Sequence, residues 1–83
     1  MEIRPKWTNE ELDAIFNKGK TSSIFPMPEY RVDDYGNLMA RSKYGNANSQ
    51  LGWEVDHIKS IKDGGTNEFG NLRPLNISKN RGR

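Results

Sequence analysis

The apolar pattern near the start of the chain predicts a helix over residues 8–19. Three apolar residues recur at the i, i+3, i+4 spacing of one helix face: Leu12, Ile15 and Phe16. Thr8 and Glu11 have the spacing of a capping box, and Trp7, directly before the cap, is placed for a hydrophobic staple. Gly19 follows the last apolar position and is expected to end the helix as its C′ glycine.

Two short segments, residues 30–33 and 38–41, are predicted to pair as strands of a hairpin. The residues between them, 34–37, are Asp-Tyr-Gly-Asn, which favour a tight turn. Residues 20–29 contain two prolines and are expected to form a loop, because proline cannot donate to a strand ladder. Residues 44–49 are rich in glycine and asparagine and predict a second loop.

The last third of the chain has the clearest strand pattern, over residues 51–58. Apolar or aromatic side chains alternate there with acidic ones: Trp53, Glu54, Val55, Asp56 and His57. Residues 62–67, Lys-Asp-Gly-Gly-Thr-Asn, predict a turn, and residues 71–75 predict a short return strand. Asn76 is a suitable N-cap for a final helix over residues 77–83.

The length of 83 residues indicates one domain, 1–83, with a lead-in over 1–50 and a core over 51–83. The expected fold class is α+β. The chain has no cysteine, which excludes disulfides and cysteine-based zinc sites. No secretory signal and no apolar run of membrane-spanning length is visible, so a cytoplasmic protein without a membrane partner is expected.

The charge is distributed unevenly along the chain. Residues 57–83 hold six Lys and Arg against two acidic residues, whereas residues 1–56 hold seven against nine. A basic end beside an acidic body indicates a polyanionic partner. On charge alone, a solvated surface accounts for the pattern equally well.

Asp56 and His57 are the residues from which chemistry is expected. Histidine titrates near neutrality and can take a proton from water at working pH. A carboxylate such as that of Asp56 suits a hard divalent cation, and Asn80 offers an amide oxygen from the predicted final helix. Because adjacent strand residues point to opposite faces, Asp56 and His57 share one site only if the strand bends or ends there.

The stretch from Trp53 to Ile58, the pair Gly64-Gly65, the segment 71–75 and Asn80 together resemble the HNH endonuclease family. Asn71 follows His57 by 14 residues and Asn80 follows it by 23, which is similar to the HNH domain of CRISPR RNA-guided nucleases. The resemblance implies a ββα-metal core, two antiparallel strands and a short helix, behind the N-terminal helix and hairpin. Asparagine at the third motif position makes this an H-N-N variant.

The resemblance also implies roles for individual residues. His57 would be the general base, Asn71 would brace the loop and orient the His57 ring, and Asp56 and Asn80 would bind the metal. Mg²⁺ or Mn²⁺ is expected, with Ni²⁺ and Zn²⁺ as alternatives. DNA is the expected partner, and the sequence does not determine whether the chain forms a homo-oligomer. The candidate phosphate-binding residues are the cations Arg41, Arg73, Lys79, Arg81 and Arg83.

Two alternatives stay open at the level of sequence. The first is a non-catalytic DNA-binding module that keeps the fold. The second is a secreted DNase toxin, which would need a delivery region and an immunity partner. The sequence contains no recognition helix that reads bases, so low intrinsic sequence specificity is expected in either case.

Overall fold

The computed structural model describes residues 6–80 and shows one helix followed by two small ribbons. Each ribbon is a pair of antiparallel strands, β1–β2 and β3–β4, and the two pairs are separate sheets. Among the described residues, no helix is long and apolar enough to span a membrane. The predicted α+β class is confirmed by the elements α1 Asn9–Phe16, β1 Tyr30–Val32, β2 Leu38–Ala40, β3 Trp53–His57 and β4 Leu72–Asn76.

Helix α1 begins as its sequence predicts. The Thr8 hydroxyl accepts a hydrogen bond from the Glu11 backbone at 3.1 Å, and the Thr8 backbone donates to the Glu11 carboxylate at 2.8 Å. The helix ends at Phe16, earlier than expected, and Gly19 does not have the positive φ of a C′ glycine. A Cβ at Gly19 would lie 3.0 Å from the Val32 carbonyl oxygen, a tight contact that glycine avoids.

The first ribbon is the predicted hairpin. Tyr30 lies opposite Ala40 and Val32 lies opposite Leu38. Gly36 adopts a φ of 85° in the connecting turn, a conformation that glycine reaches without steric cost. The predicted turn over residues 34–37 therefore connects the two strands, and their register follows from the structure.

The second ribbon pairs β3 with β4 and contains the candidate site residues Asp56 and His57. Asp56 lies opposite Arg73, and His57 lies opposite Leu72. Pro74 sits inside β4, which is acceptable because both strands of a two-stranded ribbon are edge strands. The predicted pairing of the two segments on either side of the glycine-rich loop is therefore confirmed.

The helix predicted over residues 77–83 is wrong for its described part. Asn76 does cap the segment, because its side-chain oxygen accepts from the Lys79 backbone at 2.9 Å, but residues 77–79 form only a turn. The Asn80 side chain donates to the Asn76 carbonyl at 2.8 Å, and this is the acceptor that the Asn80 backbone would use in an α-helix. Residues 81–83 lie outside the described residues.

Trp53 is the centre of the core. It is fully buried, with its ring centroid 4.9 Å from that of Phe16 and 5.0 Å from that of Tyr44. Its indole N–H donates to the Arg41 carbonyl at 3.2 Å. Helix α1, β2 and the second ribbon all contribute to this core, whose buried members are Leu12, Ile15, Phe16, Met39, Trp53 and Leu72.

A buried carboxylate, Asp33, joins the two ribbons. One oxygen accepts from the backbones of Tyr35 and Asn37, at 3.0 and 2.9 Å. The other accepts from the Asn76 backbone at 3.0 Å and from the Asn80 amide at 2.9 Å. Asp33 is 1% exposed, and these four donors compensate for the hydration that it loses.

Replacing Trp53 with alanine is expected to destabilise the fold by about 3–5 kcal/mol, because the large cavity cannot collapse fully. The measurement is urea or thermal unfolding followed by circular dichroism. Ile24→Ala is the control, since Ile24 is 81% exposed, and its effect is expected to stay within about 0.5 kcal/mol. Equal unfolding midpoints for wild type and Trp53→Ala would contradict the assignment of Trp53 as the core.

Asp33→Asn is expected to cost about 2 kcal/mol or more, because an NH₂ group would face backbone or amide donors in place of an acceptor oxygen. Asp34→Asn is the matched control. Asp34 is the exposed neighbour, 3.3 Å from Arg73, and losing such a pair costs less than about 1 kcal/mol. Similar unfolding free energies for the two variants would show that the Asp33 contacts do not join the ribbons.

Candidate functional site

Asp56 and His57 occupy the last two positions of β3. As neighbours on a strand they point to opposite faces, and each contacts a different partner. The pairing of the chain continues one residue further, since the Ile58 backbone donates to the Asn71 carbonyl at 2.8 Å. The site is therefore built around the end of the ribbon and the loop that follows it.

The partner of Asp56 is its cross-strand neighbour, Arg73. The Arg73 Nε donates to the Asp56 Oδ2 at 2.9 Å. Directly opposed charges of opposite sign on one face of a ribbon stabilise the pairing. Both side chains are largely shielded from solvent, with 35% of the Asp56 side chain and 21% of the Arg73 side chain exposed. The carboxylate that the sequence assigns to a metal thus also belongs to an ion pair.

Arg73 has further contacts that hold it in place. Its other guanidinium nitrogens lie 3.3 Å from the Asp34 carboxylate and 3.4 Å from the Tyr35 hydroxyl, and the guanidinium is 5.4 Å from the Tyr35 ring centroid. Partial burial lowers the pKa of Arg73, but the hydrogen bonds and charge interactions with Asp56 and Tyr35 together raise it by more, so the pKa lies above its ordinary value. Arg73 is therefore a fixed positive charge between the two ribbons.

The partner of His57 is Asn67. The His57 Nε2 and the Asn67 Oδ1 lie 2.6 Å apart, a hydrogen-bond distance. Asn67 belongs to the glycine-rich connection between β3 and β4, within the turn that the sequence predicts over residues 62–67. One side of the imidazole is thus held by the loop, while β3 holds its backbone.

Asn71 closes this loop. Its Oδ1 accepts from the Lys59 backbone at 2.8 Å, and its Nδ2 donates to the carbonyls of Lys59 at 2.9 Å and Thr66 at 2.7 Å. Three hydrogen bonds to the main chain use both ends of the amide. Asn71 therefore contacts the loop, and the hydrogen bond to the His57 ring comes from Asn67.

Glycine is favoured at the two adjacent positions of the loop for different steric reasons. Gly64 has a φ of 93°, which favours glycine. A Cβ at Gly65 would lie 1.8 Å from the Lys59 carbonyl oxygen, a distance that no side chain tolerates. The Gly65 backbone also donates to the Ser60 carbonyl at 2.8 Å. The Gly-Gly pair thus lets the chain fold back closely enough for Asn71 to reach both Lys59 and Thr66.

Asn80 lies at the other end of the ribbon, near Asn76 and Asp33. Its Nδ2 donates to the Asn76 carbonyl and to the Asp33 carboxylate. Its Oδ1 is buried and has no hydrogen-bond partner among the described residues. An unpaired buried amide oxygen is uncommon, because it loses its hydration without compensation.

The candidate phosphate-binding cations that the structure describes are Arg41, Arg73 and Lys79, and the two arginines contact different carboxylates. Arg41 contacts α1, with its Nε 2.6 Å from the Asp13 carboxylate, and its guanidinium lies 5.7 Å from the Trp53 ring centroid. Arg73 lies beside Asp56, and Lys79 is exposed after β4. Two further candidates, Arg81 and Arg83, lie outside the described residues.

The donor atoms at the site determine which metal would suit it. Among residues 6–80, no three side chains of the types His, Cys, Asp and Glu are grouped so that they could hold a metal ion. The second Asp56 oxygen and the Asn80 Oδ1 accept no hydrogen bond from the described residues. Asn80 contacts Asp33 and Asn76 at the opposite end of the ribbon from Asp56, so the two oxygens do not contact each other. Carboxylate and amide oxygens suit hard divalent cations, so the donor chemistry fits Mg²⁺ or Mn²⁺.

Sequence reasoning missed two residues of this region. Asp33 was expected only to flank a turn, and Asn67 only to be part of one. The first could have been suspected from Asp-x-Tyr-Gly-Asn spacing, because aspartate often accepts from the backbone two residues further along. The second has no local sequence feature that distinguishes it from an ordinary turn former.

Comparison with known proteins gave one family match. A family model described as HNH endonuclease matches residues 45–78. The searches of curated proteins and of solved structures gave no match. The resemblance to the HNH endonuclease family is therefore confirmed over residues 45–78, which include Asp56, His57 and Asn71 and end before Asn80.

Proposed function

We propose that this protein is a metal-dependent endonuclease that hydrolyses phosphodiester bonds of DNA. The observation that carries the proposal is the position of His57 at the end of β3, beside Asp56 and against a loop that Asn71 closes. All three residues fall within the HNH match. A base whose ring is held by the loop and whose backbone is held by β3, directly after a carboxylate in the chain, suits the activation of water for hydrolysis.

The proposed chemistry begins at His57. Its neutral ring removes a proton from a water molecule, and the water oxygen attacks the phosphorus of the scissile phosphodiester. The bond from phosphorus to the 3′ oxygen breaks, and that oxygen takes up a proton. The products are a 5′-phosphate and a 3′-hydroxyl, so no redox partner and no co-reactant other than water is required.

Asp56 and Asn80 are the residues that would hold the cation, as in the H-N-N variant of the family. Mg²⁺ or Mn²⁺ suits these oxygen donors, and Ni²⁺ and Zn²⁺ are the alternatives. When bound, the cation supplies positive charge that polarises a phosphate oxygen and stabilises the leaving oxygen. In this arrangement Asp56 contributes the negative charge and Asn80 a neutral oxygen.

Binding to DNA is proposed to depend mainly on the phosphate backbone. Lys79 is exposed and free to contact phosphate, whereas Arg73 and Arg41 are already engaged with carboxylates. A phosphate would compete with these carboxylates for each guanidinium. Contacts of this type do not distinguish one base from another, so affinity depends little on sequence. The remaining cations of the proposal are Arg81 and Arg83.

A non-catalytic DNA-binding module is the second candidate function. The observation that favours it is the ion pair between Asp56 and Arg73, because an engaged carboxylate is a weaker metal ligand. In that case Arg73 of the ribbon and Lys79 after it would contact DNA without any chemistry. The two candidates differ in whether the protein breaks a phosphodiester bond.

Plasmid nicking separates the two candidates. Wild-type protein is expected to nick and so relax supercoiled plasmid in Mg²⁺ or Mn²⁺. The nicking activity is expected to stop in excess EDTA. His57→Ala is expected to slow nicking by about 10²–10⁴-fold, which is the usual contribution of a positioned general base. Titration calorimetry is expected to show unchanged metal binding in His57→Ala, weaker binding in Asp56→Ala and a smaller loss in Asn80→Ala. Glu10→Ala, at an exposed acid of α1, is the control.

Three results would contradict this assignment. Nicking at the full rate in excess EDTA would exclude a required metal. A folded wild type that binds DNA but nicks in none of the metals would favour the binding module. If His57→Ala loses metal binding as completely as Asp56→Ala does, His57 is a ligand and not the base.

The affinity for DNA is expected to fall steeply with salt, because phosphate contacts release counterions. Lys79→Gln is expected to reduce the slope of log affinity against log salt by about 1. Lys20→Gln is the matched control, since Lys20 is also an exposed lysine but pairs with Val32 of the first ribbon. Fluorescence anisotropy at a series of salt concentrations measures both slopes. Equal slopes for the two variants would show that Lys79 does not contact DNA.

A further inference from the structure

The His57 ring is held by the side chain of Asn67, a residue to which the proposed function assigns no role. Asn67 Oδ1 lies 2.6 Å from His57 Nε2, whereas the amide of Asn71, the residue expected to orient the ring, is bonded to Lys59 and Thr66. The ring nitrogen in this contact is the one farther from the backbone. The other nitrogen, Nδ1, does not take part in it.

The contact determines where the imidazole carries its proton. A side-chain amide oxygen only accepts hydrogen bonds, so the nitrogen facing it must be an N–H. A neutral imidazole has a single N–H, and its lone pair is then on the other nitrogen. We propose that Asn67 is a positioning residue for His57, holding the proton on Nε2 and leaving Nδ1 as the atom that accepts a proton from water.

The segment around Asn67 is itself held at several points. The Thr66 carbonyl accepts from Asn71 Nδ2 at 2.7 Å, and the Thr66 hydroxyl accepts from the Glu68 backbone at 3.2 Å. The Asn71 backbone donates to the Glu68 carbonyl at 2.8 Å. Asn71 therefore acts on His57 indirectly, by fixing the main chain on both sides of Asn67. The order of contacts is Asn71, then the backbone at Thr66 and Glu68, then Asn67, then the ring.

The catalytic meaning of this arrangement rests on the proposed function, but the hydrogen bond itself does not. A base whose ring can rotate or change tautomer presents its lone pair to water for only part of the time. Fixing the ring raises the rate without changing the binding of DNA. The same hydrogen bond exists in the metal-free protein and is measurable there.

Nuclear magnetic resonance tests the contact directly, because His57 is the only histidine in the chain. In ¹⁵N-labelled, metal-free protein at a pH where the ring is neutral, long-range ¹H–¹⁵N spectra are expected to show the Nε2–H tautomer. The Nε2 proton is expected to be visible because its hydrogen bond slows exchange with water. Asn67→Ala is expected to lose that signal, and Asn67→Asp, which keeps an acceptor oxygen, is expected to retain it.

Glu68→Ala is the matched control, an exposed side chain on the same loop, and its spectrum is expected to equal that of wild type. In the nicking assay, Asn67→Ala is expected to lower kcat by up to about 100-fold with KM for DNA unchanged. Asn67→Asp is expected to recover part of this loss. If wild type does not nick DNA while its spectrum is as expected, the proposed function fails and the hydrogen bond stands.

Several outcomes would overturn the inference. An Nδ1–H tautomer in wild type would mean that Asn67 donates through its nitrogen, and the proton assignment would be wrong. An Nε2 proton that exchanges equally fast in wild type and in Asn67→Ala would exclude the hydrogen bond. A lost signal with unchanged kcat would exclude a positioning role. The wild-type spectrum decides the proton assignment by itself if Asn67→Ala does not fold.

Discussion

The buried carboxylate of Asp33 is the constraint on which the relation between the two ribbons depends. The ribbons share no strand ladder, so side-chain contacts add to the few backbone hydrogen bonds, such as that from Ala40 to Leu51, that fix their relative position. Asp33 accepts from the hairpin turn through one oxygen, and from the Asn76 backbone and the Asn80 amide through the other. Since a buried charge is tolerated only when its oxygens are satisfied, the turn and the end of β4 are fixed together.

Local chemistry was sufficient to predict most elements of the fold. The capping box at Thr8 and Glu11, the turn over residues 34–37 and the alternation along β3 each depend on residues a few positions apart. The contacts of Asp33 with Asn76 and Asn80 span 43 and 47 residues, and no local pattern contains them. The final helix failed for a local reason, because the Asn80 side chain donates to the Asn76 carbonyl, which is the acceptor of the Asn80 backbone in a helix.

The sequence predicted which residues belong to the site better than it predicted which partners they contact. The chemistry of Asp56 and His57 and the resemblance to the HNH family, which added Asn71, selected these residues, and the family match includes all three. The ion pair of Asp56 with Arg73 follows only from the strand register, which the sequence leaves open. The contact of His57 with Asn67 depends on how the loop folds back, and that in turn depends on the close approach of Gly65 to Lys59.

The core has a consequence for how small an autonomous unit can be. The stretch matched by the family model, residues 45–78, supplies Trp53 and Leu72 to the core, but their buried neighbours Phe16 and Met39 lie outside it. A transplant of the matched stretch alone would expose these apolar faces to water and would lose the Asp33 carboxylate as well. The part of the chain that can fold on its own is therefore larger than the segment that the family model matches, and core packing sets its boundaries.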